Sequence, residues 1–354
     1  MSGTYKSQKN TYYTEKTNEL LDVLPESVRL FNIAFERTSS PQTMWIYTQR
    51  ISYFFRYLVS HHDAFKGKAM HQITYSDLDA LTADDVDVFI HSIYTKNVTD
   101  TNQEKVGNTI NNYLSALNQY FNFLFQREKI SKNIIPLVQR SKRPVRKNPL
   151  QLDRSQQQSL LNATATGDGL TERQRKARTK NNLMVLRDEA IIMLLLRTGI
   201  RVSELVGLNI DDINFDVHAF SVLRKRNKPD TVYFDDETEV VLLRYLDALR
   251  ERFPNMLLEP VFIVTTGKYL GDRISVRSVE RIVKKYAKVA TPGLGNQVHV
   301  HTLRATYARS MLDATNDVKL VQELLAHDSV ETTMIYLGDD TKNKKAVRNI
   351  LAEN

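Results

Sequence analysis

The chain has no cysteine. That absence excludes a disulfide framework, thiolate metal ligands and cysteine nucleophiles, and it makes a reducing cytoplasm the default location. Long apolar runs are missing as well. None approaches the ~20 residues that a membrane-spanning helix needs, so no membrane is expected among the partners. The opening stretch MSGTYKSQKNTYYTEK is polar and lacks the apolar segment of a secretory signal. Internal repeats and an H-E-x-x-H motif are also absent.

What is present describes a globular protein of more than one core. At 354 residues, with 42% hydrophobic and 25% charged residues, the chain fits a soluble protein of about two domains. A formal net charge of +8 and a pI of 9.3 suggest a polyanionic partner. The distribution of charge says more than its sum. The stretch QRSKRPVRKNP (139–149) holds five basic residues and no acid, and TERQRKARTK (171–180) holds five more beside Glu172. Such runs are ordinarily solvated surface. Placed mid-chain between helical blocks, they read as straps along a phosphate backbone, with Lys142, Arg143, Arg146 and Lys147 as candidate contacts.

Helical spacing dominates the first part of the chain. Ser40-Pro41 is a cap followed by proline at the first helical position, and Tyr47, Ile51, Phe54, Phe55 and Leu58 then share one face. Thr82 caps a second run with Val86, Phe89, Ile90 and Ile93; a third carries Ile110, Leu114, Leu117, Phe121 and Leu124. No strand is expected before residue 200. Residues 1–20 read as a tail, 20–135 as a helical bundle, and 136–150, with Pro136, Pro144 and Pro149, as a basic linker. In the second domain, 151–342, TATGDGLTE reads as a polar loop and RDEAIIMLLLRTG as a buried helix ending at Gly199. AFSVLR and TVYF are β-rich runs joined by KRNKPD, hence a hairpin. The expected fold is mainly α with a small antiparallel β-sheet.

Several residues of this second domain point at one phosphate. Arg201 follows the Gly199 stop, beside a Ser203 cap. His301 and Arg304 lie three apart at a helix start, on one face. Lys225 sits at the hairpin tip, His327 closes a helix, and Tyr336 follows nine residues later. Taken singly, each has an ordinary structural explanation: surface arginine, turn lysine, terminal histidine, half-buried tyrosine.

Together they resemble the tyrosine recombinases, the family of Cre, the Xer proteins and lambda integrase. TGIRVSELVGLNIDDIN is similar to the segment with the family's first catalytic arginine, here Arg201; LRKRNKPDTVYF resembles the hairpin with the catalytic lysine, here Lys225. HTLRATYA resembles the H-x-x-R motif, giving His301 and Arg304, and LLAHDSVETTMIY the closing motif, giving His327 and the nucleophile Tyr336. Ala305 and Ala326 depart from the pattern, standing where a histidine and a glycine are usual. Six positions in order make a specific signal, unlike a lone motif. Length and N-terminal layout are similar to the single-recombinase Xer type.

The resemblance implies a two-domain clamp, with a helical (SAM-like) core DNA-binding domain and a mixed α/β catalytic domain. It implies strand cleavage through a 3′-phosphotyrosyl bond and a Holliday junction. No cofactor and no metal or ATP is needed in that chemistry, since a cationic set does the work of metals. The implied partners are double-stranded DNA with paired inverted half-sites and a homotetramer on two sites, with a DNA translocase as an optional further partner. The Xer likeness implies chromosome dimer resolution before cell division. The tail 343–354, with Ala346, Val347, Ile350 and Leu351 as a stripe, is expected to dock on a neighbouring protomer. Glu204 is read either as orienting a basic neighbour or as a plain helix-start acid. The alternatives are a mobile-element integrase, a type IB topoisomerase-like relaxase, a DNA-binding module without catalysis, and a metal-dependent nuclease. Only HVH (His299, His301) and the pairs Asp211–Asp212 and Asp235–Asp236 speak for the last, and the pairs read better as strand-end and cap residues.

Overall fold

The computed structural model describes residues 5–97, 103–142, 148–224, 228–255 and 258–326. The chain divides into two compact units, Met1–Arg146 and Lys147–Asn354, with the boundary inside the basic stretch expected as a linker.

Among the described residues the first unit is helical: α1 (Tyr5–Leu21), α2 (Glu26–Phe35), α3 (Pro41–His61), α4 (Tyr75–Asp79), α5 (Ala83–Asn97) and α6 (Gln103–Gln126). Ser40 caps α3 by accepting from the Thr43 amide, with Pro41 in the first turn. Its buried face, Ile51, Phe54, Phe55 and Leu58, meets Phe89 of α5 and Tyr120 and Phe121 of α6. These rings meet mostly edge to face, as aromatic quadrupoles prefer. Tyr120 is fully buried, and its hydroxyl is satisfied by Ser27 Oγ at 2.6 Å.

The stretch read as a tail is instead α1, packed on α3. Its only buried residues are Thr17 and Leu21. A helix that buries so little shows no apolar stripe in sequence; its two buried residues lie toward its C-terminal end, and packing on α3 holds it.

The second unit is built around α9 (Asn182–Thr198), buried along nearly all its length and flanked by α7 (Arg154–Thr166), α11 (Asp236–Arg252) and α13 (Val300–Thr315). Asp153 caps α7, and the expected polar loop shrinks to the turn between α7 and α8 (Glu172–Lys180). The second basic run is therefore a helix and not a free strap. Its Arg178 is buried, donating to the Tyr286 hydroxyl at 2.9 Å and the Ala165 carbonyl at 2.7 Å. Tyr286 belongs to α12 (Val276–Ala290), where Val279, Ile282 and Val283 are also buried.

A three-stranded antiparallel sheet follows α10 (Val202–Gly207), in the order β1 (Ile213–Asn214), β2 (Ala219–Leu223), β3 (Pro229–Tyr233). Phe220 pairs with Val232 and Val222 with Asp230. The short β1 was not expected; two residues carry no readable alternation. The last described helix is α14 (Val318–Leu325), packed on α13 through Val321 and Leu325 against Ala305 and Ala308. No helix among the described residues is long and apolar enough to cross a membrane.

Candidate active site

Helix α9 stops at Gly199, whose φ of +61° is open to glycine at little cost. The Tyr307 ring lies where a β-carbon would go, with Cγ and Cε1 2.9 and 3.0 Å from that position. From this stop the chain runs to Arg201, the residue that opens α10. The carboxylate of Glu204 caps the helix by accepting from the Arg201 amide at 2.8 Å, and it holds the Arg201 guanidinium at 2.9 Å. Both readings of Glu204 are therefore realised in one side chain. The expected cap, Ser203, lies within the helix.

On α13, His301 and Arg304 sit one turn apart in the first coils. Arg304 is 5% exposed and donates to the Gly199 carbonyl and, at 2.5 Å, to the Leu325 carbonyl. Arg201 donates to the next carbonyl, Ala326, at 3.1 Å. The two arginines thus converge on the C-terminal end of α14, where helix carbonyls lack intrahelical partners and the dipole is negative. Ala326 takes φ +46°, a left-handed backbone that alanine adopts at a cost of roughly 1 kcal/mol. This is one of the two departures from the recombinase pattern; the other, Ala305, is fully buried in the apolar contact of α13 with α14.

His301 keeps part of its surface in solvent; partial burial of its ring, and after it the charges of His299 and Arg304, hold the imidazole below its ordinary 6.5. The same arginine reaches Tyr307. Burial raises that phenol above its usual range, and the charges of Arg224 and Arg304 oppose the rise.

Arg224, which no sequence motif singles out, is buried beside Glu204 at 2.7 Å and Asp230 at 2.9 Å. Strand alternation marks it: Phe220, Val222 and Arg224 share the buried phase of β2 and its continuation. The first unit offers a further basic and aromatic surface. A groove of about 510 Å³ between α3 and α6 is lined by Trp45, Arg50, Tyr53, Arg56, Asn112 and Tyr113. Lys142 is exposed. Lys225, His327, Tyr336, Arg143, Arg146, Lys147 and the tail 343–354 lie outside the described residues.

Among the described residues the one group able to hold an ion is His218, Asp236 and Glu239, which contains neither His299 nor His301. Its imidazole nitrogens face different carboxylates, Nδ1 to Asp236 at 3.3 Å and Nε2 to Glu239 at 3.6 Å. Asp235 caps α11, accepting from the Thr238 amide at 2.9 Å.

Residues 151–343 match the phage integrase family. Over 335 residues the chain is 31% identical to the tyrosine recombinase XerC of Caldanaerobacter subterraneus subsp. tengcongensis, covering 92% of this chain and 85% of that protein. The chain belongs to the tyrosine recombinases. The XerS of Streptococcus agalactiae is 28% identical to this recombinase across 95% of its chain and 98% of the relative's. In fold the recombinase resembles the XerH site-specific recombinase solved on palindromic difH substrate as a post-cleavage complex. That likeness has a TM-score of 0.62 and 18% identity, over 89% of this chain and 82% of that one. Membership in the family means that the recombinase cleaves and rejoins DNA through a phosphotyrosine intermediate.

Proposed function

We propose that Arg201 and Arg304 bind the non-bridging oxygens of the scissile phosphate, that Tyr336 attacks it, and that Lys225 protonates the departing 5′-oxygen. The observation that carries this reading is the convergence of both guanidiniums on successive carbonyls, Leu325 and Ala326. Donors arranged to take two neighbouring acceptor oxygens suit a phosphate better, since its oxygens match the guanidinium fork in paired bonds and carry the negative charge that a carbonyl lacks. As the tyrosyl oxygen bonds phosphorus, the 5′-oxygen leaves with its electron pair and takes a proton; the phosphodiester energy is kept in the new ester. His301 and His327 add donors around the same oxygens.

The substrate in this reading is double-stranded DNA with paired inverted half-sites, in keeping with the palindromic substrate of XerH. Four protomers on two sites would exchange strands in two rounds. Likeness to XerC and XerS along most of the chain favours chromosome dimer resolution as the biological task. The groove of α3 and α6, with Arg50 and Arg56, joins the 139–149 basic run as a candidate DNA contact.

Incubating the chain with a pool of randomised duplexes, each carrying a nick, would test the chemistry. Cleavage near a nick releases a short fragment and strands the covalent adduct, which survives denaturation. Wild-type protein should capture related sequences, with or without EDTA, and Tyr336→Phe should capture none while still binding the recovered duplex. Full capture by the Phe variant would refute the assignment of the nucleophile, and loss of capture in EDTA would restore the metal reading.

A further inference from the structure

An arginine in the buried phase of a strand needs its charge answered, because an uncompensated ion there costs several kcal/mol. Arg224 is answered twice. Its Nη1 donates to Glu204 of α10 at 2.7 Å, and its Nε to Asp230 of β3 at 2.9 Å. Its backbone amide donates to the Lys228 carbonyl at 2.8 Å, closing the base of the hairpin turn. The contact of Nη2 with the Leu324 carbonyl, at 3.5 Å, is too long to add much. One planar guanidinium therefore joins two carboxylates on different elements, which the point charge of a lysine does less well.

Glu204 is shared. Its other contacts are the side chain and the backbone amide of Arg201, at 2.9 and 2.8 Å. A row Asp230–Arg224–Glu204–Arg201 thus runs from the hairpin to the first arginine of the site. Lys225 is the next residue after Arg224 in the chain.

We propose that Arg224 is a positioning residue: it fastens the β2–β3 hairpin to α10, and so holds Lys225 in place for proton delivery to the leaving oxygen. The proposal rests on the reading of Lys225 given above. If Arg224 is removed, Glu204 keeps both bonds to Arg201, whereas the hairpin loses its charged tie to α10. The loss therefore falls on the leaving-group side and not on phosphate binding.

A duplex recovered in the capture experiment, made again with sulfur in place of the bridging 5′-oxygen, separates the two sides. The sulfur leaves as a thiolate and needs no proton. On the oxygen substrate Arg224→Met should slow adduct formation about tenfold or more, a fraction of what a general acid contributes. Duplex affinity should stay near wild type, and on the sulfur substrate the rate should recover to near wild type. Arg224→Lys, a smaller disturbance that keeps a charge against both carboxylates, should show the same pattern more weakly; it carries the test if the Met variant does not fold. Equal slowing on both substrates, or no slowing on either, would overturn the proposal. Lys225→Ala runs alongside. If the sulfur substrate does not rescue it, the reading of Lys225 is at fault; if it is rescued and the Arg224 variants are not, only the role of Arg224 is wrong.

Discussion

Replacing Gly199 by alanine should damage the second unit more than the same change at a left-handed glycine that faces open space, and the reason can be worked from two positions. Gly199 and Gly267 have φ of +61° and +81°, so an alanine at either carries a left-handed backbone cost of roughly 1 kcal/mol. At Gly267 nothing lies within 4 Å of the new β-carbon. At Gly199 the Tyr307 ring occupies the space, with Cγ at 2.9 Å and Cε1 at 3.0 Å, and that ring is packed against the Ala305–Leu325 contact. Forcing a methyl into packed surroundings adds about 1–3 kcal/mol. Gly267→Ala should therefore lose roughly 1 kcal/mol and Gly199→Ala roughly 2–4. Urea unfolding followed by circular dichroism reads both. Tyr307→Ala opens the space, so the double variant Gly199→Ala/Tyr307→Ala should be less destabilised than the two single changes added together. Cleavage should suffer beyond what stability explains, because the Gly199 carbonyl holds Arg304. Equal losses at Gly199 and Gly267, or strict additivity with Tyr307→Ala, would refute the argument.

Other expectations follow from single contacts. Asp188 is fully buried and accepts from Arg187 at 2.7 Å, Lys285 at 2.7 Å and Tyr286 at 3.1 Å. Asp188→Asn leaves two cations facing a neutral amide and should cost about 3–5 kcal/mol by urea unfolding; a loss below 1 would show that the network relaxes freely. Ala326→Gly, at φ +46°, should stabilise the chain by up to about 1 kcal/mol, and a destabilised variant would mean that the methyl group matters more than the backbone. The His301 imidazole should titrate below 6.5 in proton NMR of the free protein. Because folding depresses this pKa, its contribution to stability is present above 6.5 and is lost as pH falls through the lowered value. A titration at or above 6.5 would contradict a ring partly withdrawn from water beside the charges of His299 and Arg304.

The legible parts of this molecule are those where one residue type answers one physical need. Ser40-Pro41, Thr82 and Gly199 marked helix ends because caps and left-handed stops need those residues. The spacing of His301 and Arg304 placed them on one turn, as found. Helix α1 was missed because it buries two residues and presents no stripe. The 171–180 run reads as a strap on DNA because a charge run does not show which member, here Arg178, turns inward to a Tyr286 hydroxyl. Arg224 was overlooked for a similar reason: its partners Glu204 and Asp230 lie 20 positions before and six after it, and only the fold brings them together. Local need is readable from sequence, whereas charge compensation between distant residues is a property of the packed structure.

The central claim is that one particular tyrosine becomes joined to DNA, and the identity of that tyrosine can be measured. The chain has 16 tyrosines, and Tyr307 is the one whose phenol the described residues place within reach of the charges of Arg304 and Arg224. Digesting the captured adduct with protease and nuclease and sequencing the nucleotide-bearing peptide by mass spectrometry decides between them. The account predicts a phosphonucleotide on Tyr336, in the peptide that follows His327, and an unmodified Tyr307. A nucleotide on Tyr307, or on any other tyrosine, would contradict it.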